Sequence, residues 1–120
     1  MEFKKDHGLR HALVALRYSW QGLHAAWRNE EAFRQEVMVA LVAVPVAWFV
    51  GDTPLERALL IAVVLQVLLV ELLNTSIENV VDRIGLEPHQ LSGRAKDVGS
   101  AAVLMAIVLA AVVWGVVLFG

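Results

Sequence analysis

An uninterrupted uncharged run at the end of the chain most limits what this sequence can fold into. Residues 98–120 contain no Asp, Glu, Lys or Arg over 23 positions. A helix of about 20 apolar residues is long enough to cross the hydrocarbon core of a bilayer. Hydrophobic residues make up 58% of only 120 residues, and a soluble domain of this size could not bury that much apolar surface. The sequence therefore predicts an all-α integral membrane protein with a single domain.

Three further helices are predicted before this one. Residues 9–28 place leucines and tryptophans on one stripe at a helical period, with arginines on another side. This pattern is typical of an amphipathic helix that lies in the membrane interface. Including the last helix, membrane helices are expected at about residues 32–50, 55–83 and 96–119.

Local signals suggest where these helices begin. Asn29 could cap the first membrane helix, and Asp52 or Thr53 could cap the second, which has Pro54 at its start. Residues 85–93 are polar and are expected to form a loop before the last helix.

The second membrane helix changes from apolar to strongly polar without a turn signal. Its residues 58–70 are uncharged, and then five polar residues recur in steps of one, three or four: Glu71, Asn74, Thr75, Glu78 and Asp82. At this spacing they share one helix face. A solvated helix end would explain Asp82. It explains Glu71 poorly, because a carboxylate among apolar residues is costly unless it is paired, bound to metal or functional.

The distribution of basic residues predicts the orientation. One basic residue, Arg57, lies between the first and second membrane helices. Nine lie at the opposite ends of the membrane helices or beyond those ends: Lys4, Lys5, Arg10, Arg17, Arg28, Arg34, Arg83, Arg94 and Lys96. Because basic residues are retained on the cytoplasmic side, the N-terminus is predicted to be cytoplasmic.

This topology brings acidic and basic groups to the same membrane surface. Carboxylates near Lys96 and Arg94 suit divalent metal and phosphate chemistry, because Mg²⁺ is bound by carboxylates together with phosphate oxygens. Glu71 and Glu78 lie about 10 Å apart along the helix, which favours separate tasks for the two. A desolvated Glu71 would be a stronger base than a free glutamate, as general-base catalysis requires. The alternative is a salt-bridge layer that only fixes topology.

Four blocks of sequence resemble the prokaryotic diacylglycerol kinase family. Residues 71–82 read Glu-x-x-Asn-Thr-Ser-Ile-Glu-x-x-Val-Asp, and residues 92–103 read Ser-Gly-Arg-Ala-Lys-Asp-Val-Gly-Ser-Ala-Ala-Val. Residues 18–23 and 25–36 resemble the N-terminal region of the family. The blocks occur in order and cover nearly the whole chain. His11, Val14 and His24 depart from the family, whose Gram-negative members are more basic near these positions.

The resemblance implies a fold and an activity. The family consists of small homotrimeric lipid kinases of the bacterial inner membrane, with one surface helix and three membrane helices per subunit. They transfer the γ-phosphate of MgATP to diacylglycerol, which gives phosphatidic acid. Their active sites are shared between neighbouring subunits at the cytoplasmic face.

The resemblance also implies residue roles. Glu71 matches the catalytic base, Asn74 a supporting residue, and Glu30 and Glu78 the carboxylates that bind metal and present MgATP. Further nucleotide contacts are implied for Tyr18, Glu87, His89, Lys96 and Asp97. The implied lipid-binding surface consists of Ser19, Trp20, Ala32, Phe33, Arg34, Gln35, Glu36, Glu71, Ser100 and Trp114.

Two other functions compete with this interpretation. Undecaprenol kinase uses the same scaffold, and the choice of lipid does not follow from charge or periodicity. A non-enzymatic channel or assembly subunit could also carry an intramembrane Glu71. Glu30, Glu78 and Lys96 together favour a kinase, because a pore needs rings of one kind of group.

Overall fold

Four helices contain nearly all of the residues that the computed structural model describes, which are residues 8–120. The helices are α1 (Gly8–Asn29), α2 (Glu31–Val50), α3 (Pro54–Ile84) and α4 (Gln90–Phe119). The all-α prediction is confirmed. Lys4 and Lys5, two of the basic residues that predict a cytoplasmic N-terminus, lie outside the described residues.

A capping box fixes the start of α3. The backbone N–H of Glu56 donates to Oγ1 of Thr53 at 3.1 Å, and Oε1 of Glu56 accepts from the N–H of Asp52 at 3.1 Å. These bonds satisfy donors that a helix start leaves free. Arg57 then ties α3 back to α2, because its Nε donates to the Trp48 carbonyl at 3.0 Å and its guanidinium lies 5.2 Å from the centre of the Trp48 ring.

The junction between α1 and α2 differs from the sequence prediction. Asn29 does not cap α2: its side chain donates backward to the Ala25 carbonyl at 2.8 Å, and Glu30 occupies the cap position. Arg34 of α2 instead closes the end of α1 by donating to the carbonyls of Trp27 at 2.8 Å and Arg28 at 3.2 Å. A cation at a helix C-terminus also interacts favourably with the helix dipole.

The last helix begins about one and a half turns earlier than predicted. The sequence placed its start near residue 96, whereas α4 begins at Gln90. The reason is His89, whose Nδ1 accepts from the N–H of Leu91 at 3.0 Å and so acts as a helix cap. Ser92 and Gly93, which looked like loop residues, therefore lie in the first turns of a helix.

The packing is centred on α3, which contacts α4 and α2 along its length, while α1 packs mainly against α2. Phe33, Ala40 and Ala47 of α2 are buried at intervals of seven residues, so α2 contributes one narrow stripe to the core. Leu60 of α3 is fully buried, and its carbonyl accepts from Nε1 of Trp114 in α4 at 3.2 Å.

The surface of the chain is unsuited to water. α2, α3 and α4 are each long and apolar enough to cross a membrane, and only 6% of the most apolar segment of α4 is buried within the chain. The radius of gyration is 17.4 Å, against about 14 Å for a compact domain of this length. The chain is therefore a membrane protein whose helices cover one another only in part.

Candidate functional site

Four glutamates from α2, α3 and the junction before α2 meet at one end of the bundle. Glu71 of α3 is the most buried of them, with 6% of its surface exposed. Its carboxylate lies near enough to those of Glu78 and Glu30 for their charges to repel, and the same is true of Glu36 and Glu71. We call Glu30, Glu36, Glu71 and Glu78 the acidic cluster. Like charges held this closely favour the binding of a cation.

Helix register and helix packing together produce this cluster. Glu71 and Glu78 are two turns apart on α3, about 10 Å along its axis. Glu30 precedes α2 and Glu36 lies in its second turn, so the packing of α2 against α3 brings them beside Glu71. The sequence predicted that these segments converge on one surface, and the structure brings the four side chains together.

The carboxylates fit a particular kind of metal site. Within residues 8–120, no three or more His, Asp or Glu side chains are placed to hold one metal ion alone. Glu30 and Glu78 nevertheless supply two carboxylates whose charges both act on Glu71. Mg²⁺ is commonly bound by one or two carboxylates, with water and substrate phosphates as the other ligands. The donor set therefore fits magnesium that binds together with a nucleotide.

A lysine on α4 faces the acidic cluster. Nζ of Lys96 lies 2.7 Å from Oδ1 of Asp82 and is also attracted by the charge of Glu78. Lys96 and Asp82 are both partly exposed, so their ion pair adds little stability. The cation remains accessible to an anionic ligand such as a phosphate.

Two clefts open beside the last turns of α3. The larger, of about 710 Å³, lies between α1 and α3, and its walls include Ser19, Glu30 and Thr75. The smaller, of about 290 Å³, lies where α3 passes into α4. The volume of the larger cleft is within the usual range for sites that bind small molecules.

The smaller cleft contains three of the predicted nucleotide contacts. Glu87, His89 and Lys96 line it together with Asp82. The Nδ1 atom of His89 is already occupied by the cap of α4, which leaves Nε2 as the ring atom available to a ligand. Three positions that were separate in sequence thus form one surface next to Glu78.

Two buried polar atoms without a partner lie one turn beyond Glu71 on α3. Oδ1 of Asn74 and Oγ1 of Thr75 are hidden from solvent, and each lacks a hydrogen bond within residues 8–120. Such atoms are costly unless something else pairs with them. Thr75 also lines the larger cleft. The sequence placed Thr75 on the polar face but gave it no function.

Asn74 is held against a glycine of α4. A Cβ atom at Gly99 would collide with Oδ1 of Asn74 and lie 3.4 Å from its Cγ. Gly99 is itself buried. Sequence reasoning missed this contact, because only the register between α3 and α4 reveals which residue faces Gly99.

The predicted site residues on α1 lie outside the acidic cluster. The hydroxyl of Ser19 donates to the Ala15 carbonyl at 2.9 Å within the helix. Tyr18 is partly exposed, and Trp20 is 71% exposed. Of these three, only Ser19 lines the larger cleft.

The predicted lipid-binding segment of α2 is divided between the core and the surface. Phe33 is buried in the helix packing, and Arg34 caps α1. Ala32 and Gln35 are exposed, and Glu36 belongs to the acidic cluster.

The predicted residues on α4 are spread along the helix. Asp97 and Ser100 are exposed near Lys96 but line neither cleft. Trp114 is 18 residues beyond Lys96, about 27 Å along α4, so the structure separates it from the acidic cluster. It instead lines an apolar groove with α2, between Met38 and Val46.

Known proteins resemble this sequence over nearly the whole of its length. A family model described as prokaryotic diacylglycerol kinase matches residues 17–118. The chain is 50% identical over 115 residues to the diacylglycerol kinase of Haemophilus influenzae, covering 96% of this chain and 98% of that protein. It is 53% identical over 112 residues to the diacylglycerol kinase of Escherichia coli, covering 93% and 92%. For the Pseudomonas aeruginosa enzyme of the same name, the identity is 49% over 118 residues, covering 98% and 96%.

The contact between Asn74 and Gly99 predicts a selective effect of adding one methyl group. Gly99→Ala should lower the free energy of unfolding by about 1–2 kcal/mol, since overpacking outweighs the gain in helix propensity. Gly115→Ala is the matched control, because no atom lies within 4 Å of a Cβ there. Unfolding in mixed detergent by circular dichroism measures both. Equal stability of the two variants would contradict the close contact, and Asn74→Ala should reduce the cost of Gly99→Ala.

Proposed function

Because this chain belongs to the prokaryotic diacylglycerol kinase family, it is a lipid kinase, and we propose that it phosphorylates diacylglycerol with ATP. In the proposed reaction, the free hydroxyl oxygen of diacylglycerol bonds to the γ-phosphorus. The bond from that phosphorus to the oxygen bridging the β- and γ-phosphates breaks, so that phosphatidic acid and ADP form. The observation that carries the proposal is the buried Glu71 beside Glu30 and Glu78.

Glu71 is the proposed general base. It accepts the proton of the diacylglycerol hydroxyl as the oxygen attacks phosphorus. Its burial supports this assignment, because removal from water makes a carboxylate a stronger base. Its position where an apolar helix turns polar also supports the assignment, because the hydroxyl of a membrane lipid lies at such a boundary. Asn74, one turn away, is proposed to orient groups around the reacting oxygen.

Glu30 and Glu78 are proposed to hold Mg²⁺ with ATP. The ion, when bound, neutralises phosphate charge. Glu30 caps α2 and Glu78 lies on α3, so the spacing of the two carboxylates depends on the packing of α2 against α3. Glu78 also attracts Lys96, which aligns the lysine with the phosphate groups.

The rest of the nucleotide is proposed to occupy the smaller cleft. There, Lys96 is proposed to contact phosphate oxygens. To do so it must leave Asp82, and breaking this ion pair costs little free energy because both side chains are partly exposed. Glu87 and His89 line the same cleft. Tyr18 and Asp97 are proposed to complete the nucleotide contacts.

The lipid is proposed to approach from the membrane interface. Along α1 the predicted apolar stripe is exposed from Leu9 to Trp27, and Leu23 within it also lines the larger cleft. We propose that this stripe lies on the bilayer, with Ser19, Trp20 and the start of α2 around the headgroup. Ser100 is proposed to complete the headgroup contacts, and Trp114 is proposed to contact an acyl chain in the apolar groove.

The proposed setting is the bacterial inner membrane, with the N-terminus and the acidic cluster at the cytoplasmic face, where ATP is available. The excess of basic residues at that end supports the orientation. We also propose a homotrimer in which neighbouring subunits share active sites. The large exposed area of α3 and α4 supports association.

Replacing the base tests the reaction directly. Glu71→Gln should keep the fold and lower kcat by about 10²–10⁴-fold, the usual contribution of general acid–base catalysis. Transfer of labelled phosphate to diacylglycerol in mixed micelles measures kcat. Glu31→Gln, an exposed glutamate near the cluster, should keep parental turnover. A fully active Glu71→Gln protein would contradict the assignment.

Replacing a metal carboxylate should change the magnesium requirement. For Glu78→Gln and Glu30→Gln, we expect the Mg²⁺ concentration for half-maximal rate to rise by roughly tenfold or more, equal to a loss of ~1.4 kcal/mol in cation binding. Excess Mg²⁺ should restore part of the rate. Glu31→Gln again serves as the control, since it differs from Glu30→Gln by one position. An unchanged Mg²⁺ dependence would show that Glu30 and Glu78 are only structural.

A further inference from the structure

The hydroxyl of Thr75 is buried but makes no hydrogen bond. Thr75 is 8% exposed, and its Oγ1 atom has no partner within residues 8–120. A hydroxyl within a helix can donate to the carbonyl four residues earlier, as Ser19 does to Ala15 at 2.9 Å. Thr75 does not use the carbonyl of Glu71 in this way. Because a buried hydroxyl without a partner is unfavourable, this side chain is suited to a group that binds from outside the chain.

The position of Thr75 on α3 relates it to the proposed reacting groups. It follows Glu71 by four residues and precedes Glu78 by three, so it lies about 6 Å and about 4.5 Å from them along the helix axis. Steps of three and four residues place the three side chains on one helix face. In the proposed reaction, the phosphoryl group passes between the base and the carboxylates that hold magnesium. Thr75 therefore lies level with the group that is transferred.

The larger cleft gives this hydroxyl access to a ligand. Thr75 lines that cleft together with Glu30, one of the two proposed metal carboxylates. Three small residues in the α1 wall leave space opposite α3: Gly22, Ala25 and Ala26. The smaller cleft, which is proposed to hold the rest of the nucleotide, lies beside the following turns of α3. A nucleotide that extends past Glu78 from the smaller cleft places its terminal phosphate beside Thr75.

The chemistry of phosphate transfer favours the terminal phosphate as the partner of this hydroxyl. A phosphoryl group in transfer carries negative charge on its nonbridging oxygens. A threonine hydroxyl supplies a donor for one of these oxygens without adding charge. Because Thr75 is held in the helix packing, this donor needs no large rearrangement when the reaction begins. Donors that are fixed in advance stabilise developing charge most effectively.

We propose that the hydroxyl of Thr75 donates a hydrogen bond to a nonbridging oxygen of the γ-phosphoryl group during its transfer, which makes Thr75 a catalytic residue. The hydrogen bond moves no proton and forms no covalent bond, so the balance of the reaction given above is unchanged. This role rests on the proposed function, because it requires phosphate transfer from ATP next to Glu71. It also gives the larger cleft an occupant, the terminal phosphate of the nucleotide.

Replacing the hydroxyl with a methyl group tests this role. Thr75→Val keeps the branched shape of the side chain and should lower kcat for diacylglycerol by about 10²–10³-fold, the usual effect of removing one such donor. The KM for ATP should change little, because the bond is made to the group in transfer. Thr75→Ser keeps the hydroxyl and should retain most of the turnover. Ser76→Ala is the matched control, since Ser76 carries an exposed hydroxyl in the same cleft, and it should keep parental turnover.

A binding measurement gives a readout that does not depend on turnover. ADP and magnesium with fluoroaluminate mimic a nucleotide whose phosphoryl group is in transfer, whereas ADP and magnesium alone lack that group. Fluoroaluminate should increase the affinity of the parent for radiolabelled ADP in detergent. In Thr75→Val this increase should be smaller by roughly tenfold or more, while the affinity for ADP alone stays at the parental value. Equal losses with and without fluoroaluminate, or equal losses in Thr75→Val and Thr75→Ser, would show a structural role and overturn the assignment.

Comparison of the parent with Thr75→Val separates the failure of this role from the failure of the proposed function. If the parent phosphorylates diacylglycerol and Thr75→Val keeps the parental kcat, the role of Thr75 fails while the function stands. A raised KM for diacylglycerol at an unchanged kcat would assign the hydroxyl to the lipid and overturn the contact with phosphate. If the parent phosphorylates no diacylglycerol, the proposed function fails. A loss of fluoroaluminate-dependent ADP binding in Thr75→Val would still support the contact in that case, and no effect of fluoroaluminate on the parent would overturn it.

Discussion

The burial of one carboxylate within an apolar helix is the constraint on which the rest of this structure depends. Glu71 is costly where it lies, and its surroundings do not neutralise it: Glu78, Glu30 and Glu36 all add negative charge. A fold built for stability alone would not hold four carboxylates this way. In the proposed reaction the same charges would bind a metal ion and accept a proton once nucleotide and lipid are present. The carboxylates that lower the stability of the fold are thus the ones that the proposed reaction uses.

The site is assembled from features that each serve the fold as well. Arg34 closes α1, and this fixes the short junction in which Glu30 lies. His89 caps α4 and at the same time lines the smaller cleft. The residues that cap the helices are therefore the same as, or close to, the residues that line the site. A small shift of a helix end would displace these side chains.

Much of the fold could be predicted from the sequence, since long apolar runs can only be membrane helices. The polar face of α3 also revealed Glu71 and Glu78, because helical spacing alone puts them on one side. The register between helices could not be predicted. Nothing in the sequence shows that Asn74 meets Gly99, that Trp114 bonds to the Leu60 carbonyl, or that Phe33 is buried. The start of α4 was misplaced because Ser92 and Gly93 have low helix propensity, which the His89 cap overrides.

The most direct test of the central claim is phosphate transfer by the purified protein in mixed micelles. Labelled ATP and Mg²⁺ would be supplied with diacylglycerol and undecaprenol in the same sample, and the lipid products separated. The account predicts label in phosphatidic acid, with little in undecaprenyl phosphate. Label only in the polyprenol would contradict the substrate assignment. Label in neither lipid, from a protein whose helices and oligomer are intact, would contradict the claim that the acidic cluster around Glu71 is a kinase site.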